Sequence, residues 1–150
     1  MFIEYGSQVD FANSQLGDEF RFEPSVEWNI NRHLLLKLDA TLVDFDSQEG
    51  VQIFNANLYD LRLTWQFSLR SFIRFTTQYR DIDRNVDEYI DDVDANTRGI
   101  GRQLLYSYKI NPQTVFFLGY SDNHYEDDDL NTLEQIDRTF FMKIGYAWTP

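Results

Sequence analysis

Residues 20–30 read Phe-Arg-Phe-Glu-Pro-Ser-Val-Glu-Trp-Asn-Ile, and their parity decides the fold class. Phe20, Phe22, Val26, Trp28 and Ile30 fall on even positions, while Arg21, Glu23, Ser25, Glu27 and Asn29 fall on odd ones. Apolar side chains at every second residue place one apolar and one polar face on an extended strand, since successive side chains point to opposite sides. The same pattern returns in Leu34, Leu36, Leu38, Ala40 and Leu42, and in Tyr59, Leu61, Leu63, Trp65 and Phe67. It continues in Ile73, Phe75, Thr77 and Tyr79, in Leu104, Tyr106, Tyr108 and Ile110, and in Phe140, Met142, Ile144, Tyr146 and Trp148. Residues 114–122 are apolar on both parities, which leaves the faces of a seventh strand undecided.

The joints between these runs alternate in length. Short ones lie around 31–32, 68–70 and 111–112, and longer acidic ones around 46–56, 82–97 and 122–137. Runs of roughly ten residues joined this way predict an all-β, antiparallel, transmembrane up-and-down β-barrel of about 7–8 strands, the build of bacterial outer-membrane barrels. The competing expectation is a soluble all-β binding module that recognises glycans through exposed aromatics. Soluble strands average nearer five or six residues, which weighs against it.

Aromatic residues make up 17% of the chain, and their distribution favours the membrane expectation. All three tryptophans, Trp28, Trp65 and Trp148, sit near the short-turn ends of their strands, with Tyr108 and Tyr146. Phe20, Tyr59, Tyr79 and Tyr120 lie toward the long-loop ends. Amphipathic rings prefer a membrane–water boundary, so the two groups are candidate girdles. Charged residues of the other parity, including Lys37, Asp39, Asp60, Arg62, Arg74, Arg80 and Lys143, must then face water or one another.

Composition excludes several classes. One hundred and fifty residues suit one domain, and no run approaches the ~20 apolar residues of a spanning helix. The chain has no cysteine, hence no disulfide framework. A net charge of −12 argues against nucleic acid as a partner. Met1-Phe2-Ile3-Glu4-Tyr5 has neither the basic nor the apolar region of a signal peptide, so a mature chain or a piece of a longer one is expected. Phe2–Tyr5 reads as half a strand before a loop at residues 6–17, which predicts the C-terminal portion of a larger barrel.

No catalytic residue is expected. His33 and His124 fall at opposite ends of the predicted strands, and Ser121 is the hydroxyl nearest His124. Two acidic groups stand out. Asp81, Asp83, Asp87, Glu88, Asp91, Asp92 and Asp94 form one, and Asp122, Glu126, Asp127, Asp128, Asp129, Glu134 and Asp137 the other. Asp81, Asp83, Asn85 and Asp87 alternate as the oxygen ligands of a calcium loop do and make a candidate site for loosely bound Ca2+. Val86 occupies the position where such loops carry glycine, and no glutamate stands at the twelfth. Solvated loops among lipopolysaccharide phosphates, poorly ordered without cations or a partner, are the plainer expectation.

The closing stretch, Thr-Val-Phe-Phe-Leu-Gly-Tyr-Ser-Asp-Asn at 114–123 and Asp-Arg-Thr-Phe-Phe-Met-Lys-Ile-Gly-Tyr-Ala-Trp at 137–148, resembles the C-terminal barrel of a family of large bacterial outer-membrane proteins. Those proteins carry an N-terminal domain similar to family 9 carbohydrate-binding modules, and the function of their barrel is unknown. The resemblance covers about the last 130 residues. It implies an outer-membrane location, the barrel fold and a link to glycans, and brings no catalytic residue. A final strand with a near-terminal aromatic also resembles the signal read by the outer-membrane assembly machinery, although Thr149 and Pro150 follow the aromatic here. The expected role is a passive pore or membrane anchor, with outer-membrane lipids and lipopolysaccharide as surroundings.

Overall fold

The computed structural model describes residues 1–10, 15–111, 113–130 and 132–147, and within them the chain is all-β and antiparallel. Nine strands follow in order: β1 (Phe2–Asp10), β2 (Gln15–Glu23), β3 (Ser25–Asn31), β4 (Leu34–Ser47), β5 (Gln52–Ser68), β6 (Ser71–Arg84), β7 (Asn96–Asn111), β8 (Thr114–Glu126) and β9 (Glu134–Tyr146). A 3-10 turn at Val86–Glu88 interrupts the joint between β6 and β7. Each strand pairs with its sequence neighbour, except that β2 and β3 both pair with β4. Residues 20–30, one strand by parity, are thus divided at Pro24. Its missing N–H breaks the ladder for one residue, while its carbonyl still accepts the Ala40 N–H at 3.0 Å.

The sheet is open, with β1 at one edge and β9 at the other. It is also a single layer, since every substantial contact between elements joins neighbouring strands. Three apolar side chains are buried among the described residues, Val43, Phe45 and Ile53, all near the turn between β4 and β5. Phe45 stacks flat on Phe54 at 5.3 Å, and Gly17 opposite makes room for that ring, because a Cβ there would stand 2.6 Å from Phe45 Cε1.

Two expectations about chain length are corrected. Residues 6–10 and 15–17, expected within a loop at 6–17, are strand: β1 runs to Asp10 and pairs with β2 from Phe2 opposite Glu23 to Asp10 opposite Gln15. Gly, Ser, Gln and Asp hide the strand from a periodicity reading, yet the backbone ladder needs none of their side chains. The long acidic joints shrink for the same reason. Strands β4 to β9 run 13 to 17 residues, so the joints contract to 48–51, 85–95 and 127–133. The short joints stand where expected, after Asn31, Ser68 and Asn111.

Candidate functional site: the banded apolar face

In an antiparallel sheet, directly opposed residues share a face. The register therefore carries one row from Trp28 through Leu36, Leu63, Phe75, Leu104 and Tyr120 to Phe140, apolar on all seven strands. The next row toward the short turns runs Leu34, Trp65, Ile73, Tyr106, Leu118, Met142. Among the described residues no layer covers these rings and aliphatic chains, and Trp28, Phe140 and Met142 are 58%, 74% and 69% exposed. Strand β8 resolves its parity by register: Phe116, Leu118 and Tyr120 join this face, and Val115, Phe117 and Gly119 the other.

The short-turn aromatics follow a rule. Trp65 lies two residues beyond the row of Trp28 and two strands away, Tyr108 two beyond the row of Trp65, and Tyr146 two beyond the row of Tyr108. The line thus steps one residue per strand. With ~3.3 Å of rise and ~4.8 Å between strands, it crosses the hydrogen-bonded rows at about 35°. Trp148 lies outside the described residues. A second line, Phe20, Tyr59, Tyr79, Tyr120, descends in the same sense but in uneven steps, four residues from Phe20 to Tyr59, none from Tyr59 to Tyr79 and four from Tyr79 to Tyr120, and it lies five to eight residues away, or roughly 16–26 Å along the strands. Tyr59 stacks on Tyr79 at 6.4 Å, and Tyr120 meets Phe140 at 5.1 Å.

Between the two lines, no Asp, Glu, Lys or Arg occupies this face among the described residues. Charge begins at the loop-side line. Arg102 Nε and Nη2 donate to Asp122 at 2.8 and 3.2 Å, and the Tyr120 hydroxyl donates to the same carboxylate at 2.9 Å. Farther out, Arg98 bridges Asp81 at 3.1 Å and Glu126 at 3.3 Å. The sequence reading missed these arginines because their partners lie 17 to 28 residues away and only the register joins them.

The opposite face is polar. Lys37 opposes Arg62, and Asp39 opposes Asp60, with Lys37 Nζ 3.1 Å from Asp39. Arg74 stacks over the Phe72 ring at 5.1 Å, and the Phe141 ring lies over Gly119, where any Cβ would collide with it. Toward the loops this face holds a cavity of about 650 Å³ walled by Arg80, Arg84, Asp94, Tyr125 and Asp128. The 85–95 segment over it is pinned: the Asn96 N–H donates to Asp128 at 3.0 Å, and Arg84 donates to Thr97 Oγ1 at 2.7 Å and to the Asp94 carbonyl at 3.2 Å. Tyr89 in this segment, its hydroxyl pushed up by burial, interacts with Arg84 and senses Asp10 at the tip of β1.

The candidate cation residues do not form a loop. Asp81 and Asp83 belong to β6, where residues two apart are separated by nearly 7 Å, and one oxygen of Asp81 is taken by Arg98. Asn85 donates to the Gln52 carbonyl at 3.3 Å, and Asp87 sits in the 3-10 turn. Among the described residues no three His, Cys, Asp or Glu side chains converge as a metal site. His33 lies at the short joint, 2.9 Å from the Gln66 carbonyl, and His124 is on β8 at the other end. Strand alternation puts Ser121 on the face opposite His124, so the two cannot act as nucleophile and base.

No family model matches this chain, and neither the curated proteins nor the solved structures include one similar to it.

Proposed function

We propose that this chain forms wall of a bacterial outer-membrane β-barrel and serves as a passive pore or membrane anchor. The observation that carries the reading is the pair of aromatic lines, descending in the same sense, that bound a charge-free band on one face. Laying the short-turn line level tilts the strands by about 35°, at the lower end of the ~35–45° of outer-membrane barrels. At its mean height the band measures roughly 600 Å² across seven strands at ~4.8 Å spacing, at the upper end of the apolar patches that monomers expose to water. Hydrocarbon covers such a band without cost, and the rings at its borders meet headgroups. The charged opposite face faces water or the barrel's own interior.

The test is depth-resolved fluorescence. Single-tryptophan variants keeping Trp28 or Trp65 are refolded into vesicles of lipids brominated at different depths. Quenching of both should peak with bromines near the headgroups, at matching depths, because the two rings lie on one line. Recovery of the chain from lysate as a monomer without detergent or lipid would end the reading.

A further inference from the structure

We infer that the banded face carries a site for a phosphorylated acyl lipid at its loop-side border, on strands β7 to β9. The inference rests on the membrane reading and adds a ligand class and named residues to it. Three successive rows across these strands change character in order. The outermost is Arg102, Asp122, Arg138; next comes Leu104, Tyr120, Phe140; then Tyr106, Leu118, Met142. Cationic groups therefore stand directly above an aromatic row, which stands above an aliphatic one.

The lower rows line an open groove. Ile73, Leu104, Tyr106, Leu118, Tyr120 and Phe140 line about 510 Å³, a volume in the range of ligand clefts. Bulk hydrocarbon would fill such a groove without preference, so selectivity comes from the row above it. Asp122 is buried, and its two oxygens accept Arg102 Nε, Arg102 Nη2 and the Tyr120 hydroxyl. That carboxylate is satisfied, and the bond orients Arg102 while leaving the Nη1 hydrogens for another acceptor. Arg138 donates from Nη2 to Gln135 Oε1 at 2.8 Å and has no carboxylate partner among the described residues. The row thus carries one net positive charge in a chain of net charge −12, with guanidinium groups on either side of the central strand. The acids next outward, Asp81 and Glu126, are taken by Arg98.

A planar guanidinium matches phosphate oxygens in a bidentate fork, and such pairs strengthen where water is scarce. A phosphate seated between Arg102 and Arg138 puts its acyl chain over Tyr120 and Phe140 and into the groove. A zwitterionic choline headgroup sets its own cation against the same arginines and is disfavoured. A free phosphate ion gains nothing from the groove.

Native mass spectrometry of the full chain, released from detergent micelles doped with phosphatidic acid or phosphatidylcholine, tests this. The unaltered protein should retain several-fold more phosphatidic acid than phosphatidylcholine, and 1 mM-scale inorganic phosphate, on the order of ordinary buffer use, should not displace it. Arg102→Gln with Arg138→Gln should abolish the preference, and Arg70→Gln, at a short turn, should leave it intact. Arg138→Gln alone, which breaks no ion pair, should reduce it and serves if the double variant fails to fold. Retention of the preference in the arginine variants would overturn the site, as would displacement by inorganic phosphate. Equal retention of both lipids would overturn it while leaving the membrane reading standing. A chain that holds neither lipid and stays monomeric without detergent would sink both.

Discussion

An arginine scan along β4 separates a membrane slab from a water-covered sheet, because the two predict opposite profiles. Leu34, Leu36, Leu38, Ala40 and Leu42 all point to the banded face and rise about 5 Å apart in depth at the 35° tilt. Leu38 is central in the series and, at 43%, the most exposed of the five. If water covers the face, an arginine there loses only a partly buried leucine and keeps an apolar stem, a cost below about 1 kcal/mol. The cost should then be least at Leu38 and greater where neighbours bury the side chain. If hydrocarbon covers the face, Leu38 lies near mid-depth and Leu38→Arg costs about 2–4 kcal/mol, falling to about 0–1 at Leu34 and Leu42. That is a roughly 30- to 700-fold change in the folding equilibrium at the centre. The assay is reversible denaturant unfolding of each variant in phosphocholine vesicles, followed by tryptophan fluorescence. A flat profile, or a minimum at Leu38, would refute the membrane assignment of this face.

Two further outcomes concern the loop end. Gly17→Ala pushes a methyl group against the Phe45 ring and the Asp46 carbonyl, and since the carbonyl is ladder backbone it should destabilise by about 1–3 kcal/mol in denaturant unfolding. Gly6→Ala meets nothing within 4 Å and should fall within about 0.5 kcal/mol of the unaltered chain, so equal losses would discredit the packing argument. The Asp94 carboxyl is held above its ordinary value by desolvation first and then by Asp127, Asp128 and Asp129, with Arg84 pulling the other way. An acid raised by the fold favours folding when protonated. Its contribution is full below the ordinary aspartate range and is lost as pH rises through the raised value. Amide exchange in 85–95, corrected for its intrinsic pH dependence, should therefore slow as pH falls into the carboxylate range. Asp94→Asn should remove that response; an unchanged response would assign it to another group.

Much of the banded face was legible because its signal is local. Leu34 to Leu42 or Tyr59 to Trp65 declare a face within nine residues, and the register then aligns those faces, apart from Ile30, Phe67 and Ile110, which fall where it shifts at the short-turn ends. The aromatic lines were half legible. Strand ends announced Trp28, Trp65, Tyr108 and Tyr146, but their regular diagonal exists only in the pairing. The strand extensions were hidden because residues 43–47, 52–58, 80–84 and 122–126 carry Asp, Asn and Arg in the places where apolar alternation would be sought. There the ladder is supported by cross-strand polar pairs instead, such as Asn55 with Asp44 and Arg98 with Asp81. The division at Pro24 was visible as a proline, and its continuity through the carbonyl was not. The calcium-like alternation of Asp81 to Asp87 is divided between the end of β6 and the 3-10 turn, because a period of two describes a strand as well as a ligand loop.

The open, single-layer sheet sets a condition on any membrane role. Sheets of ordinary domains gain stability by packing a face on a second layer, and here that layer is absent among the described residues. The energy that fixes the fold must then come from whatever covers the band and pairs the edges. Hydrocarbon supplies the first and cannot supply the second, since an unpaired N–H or C=O in it costs several kcal/mol. Strand directions alternate along the meander, so β1 and β9 run antiparallel and could close without reversing either. The ladder from β1 to β2 stops at Phe2 opposite Glu23, however, so β1 covers only the loop-side half of the β2–β3 edge. The outer edge of β3, Ser25–Asn31, includes Trp28 on the short-turn line and has no strand beside it among the described residues. Insertion at the depth the aromatic lines define therefore puts the β3 edge and the lower half of β9 in hydrocarbon, where each unpaired N–H or C=O adds to the cost. It is the pairing of that edge, more than any packing within the sheet, on which a sealed wall depends.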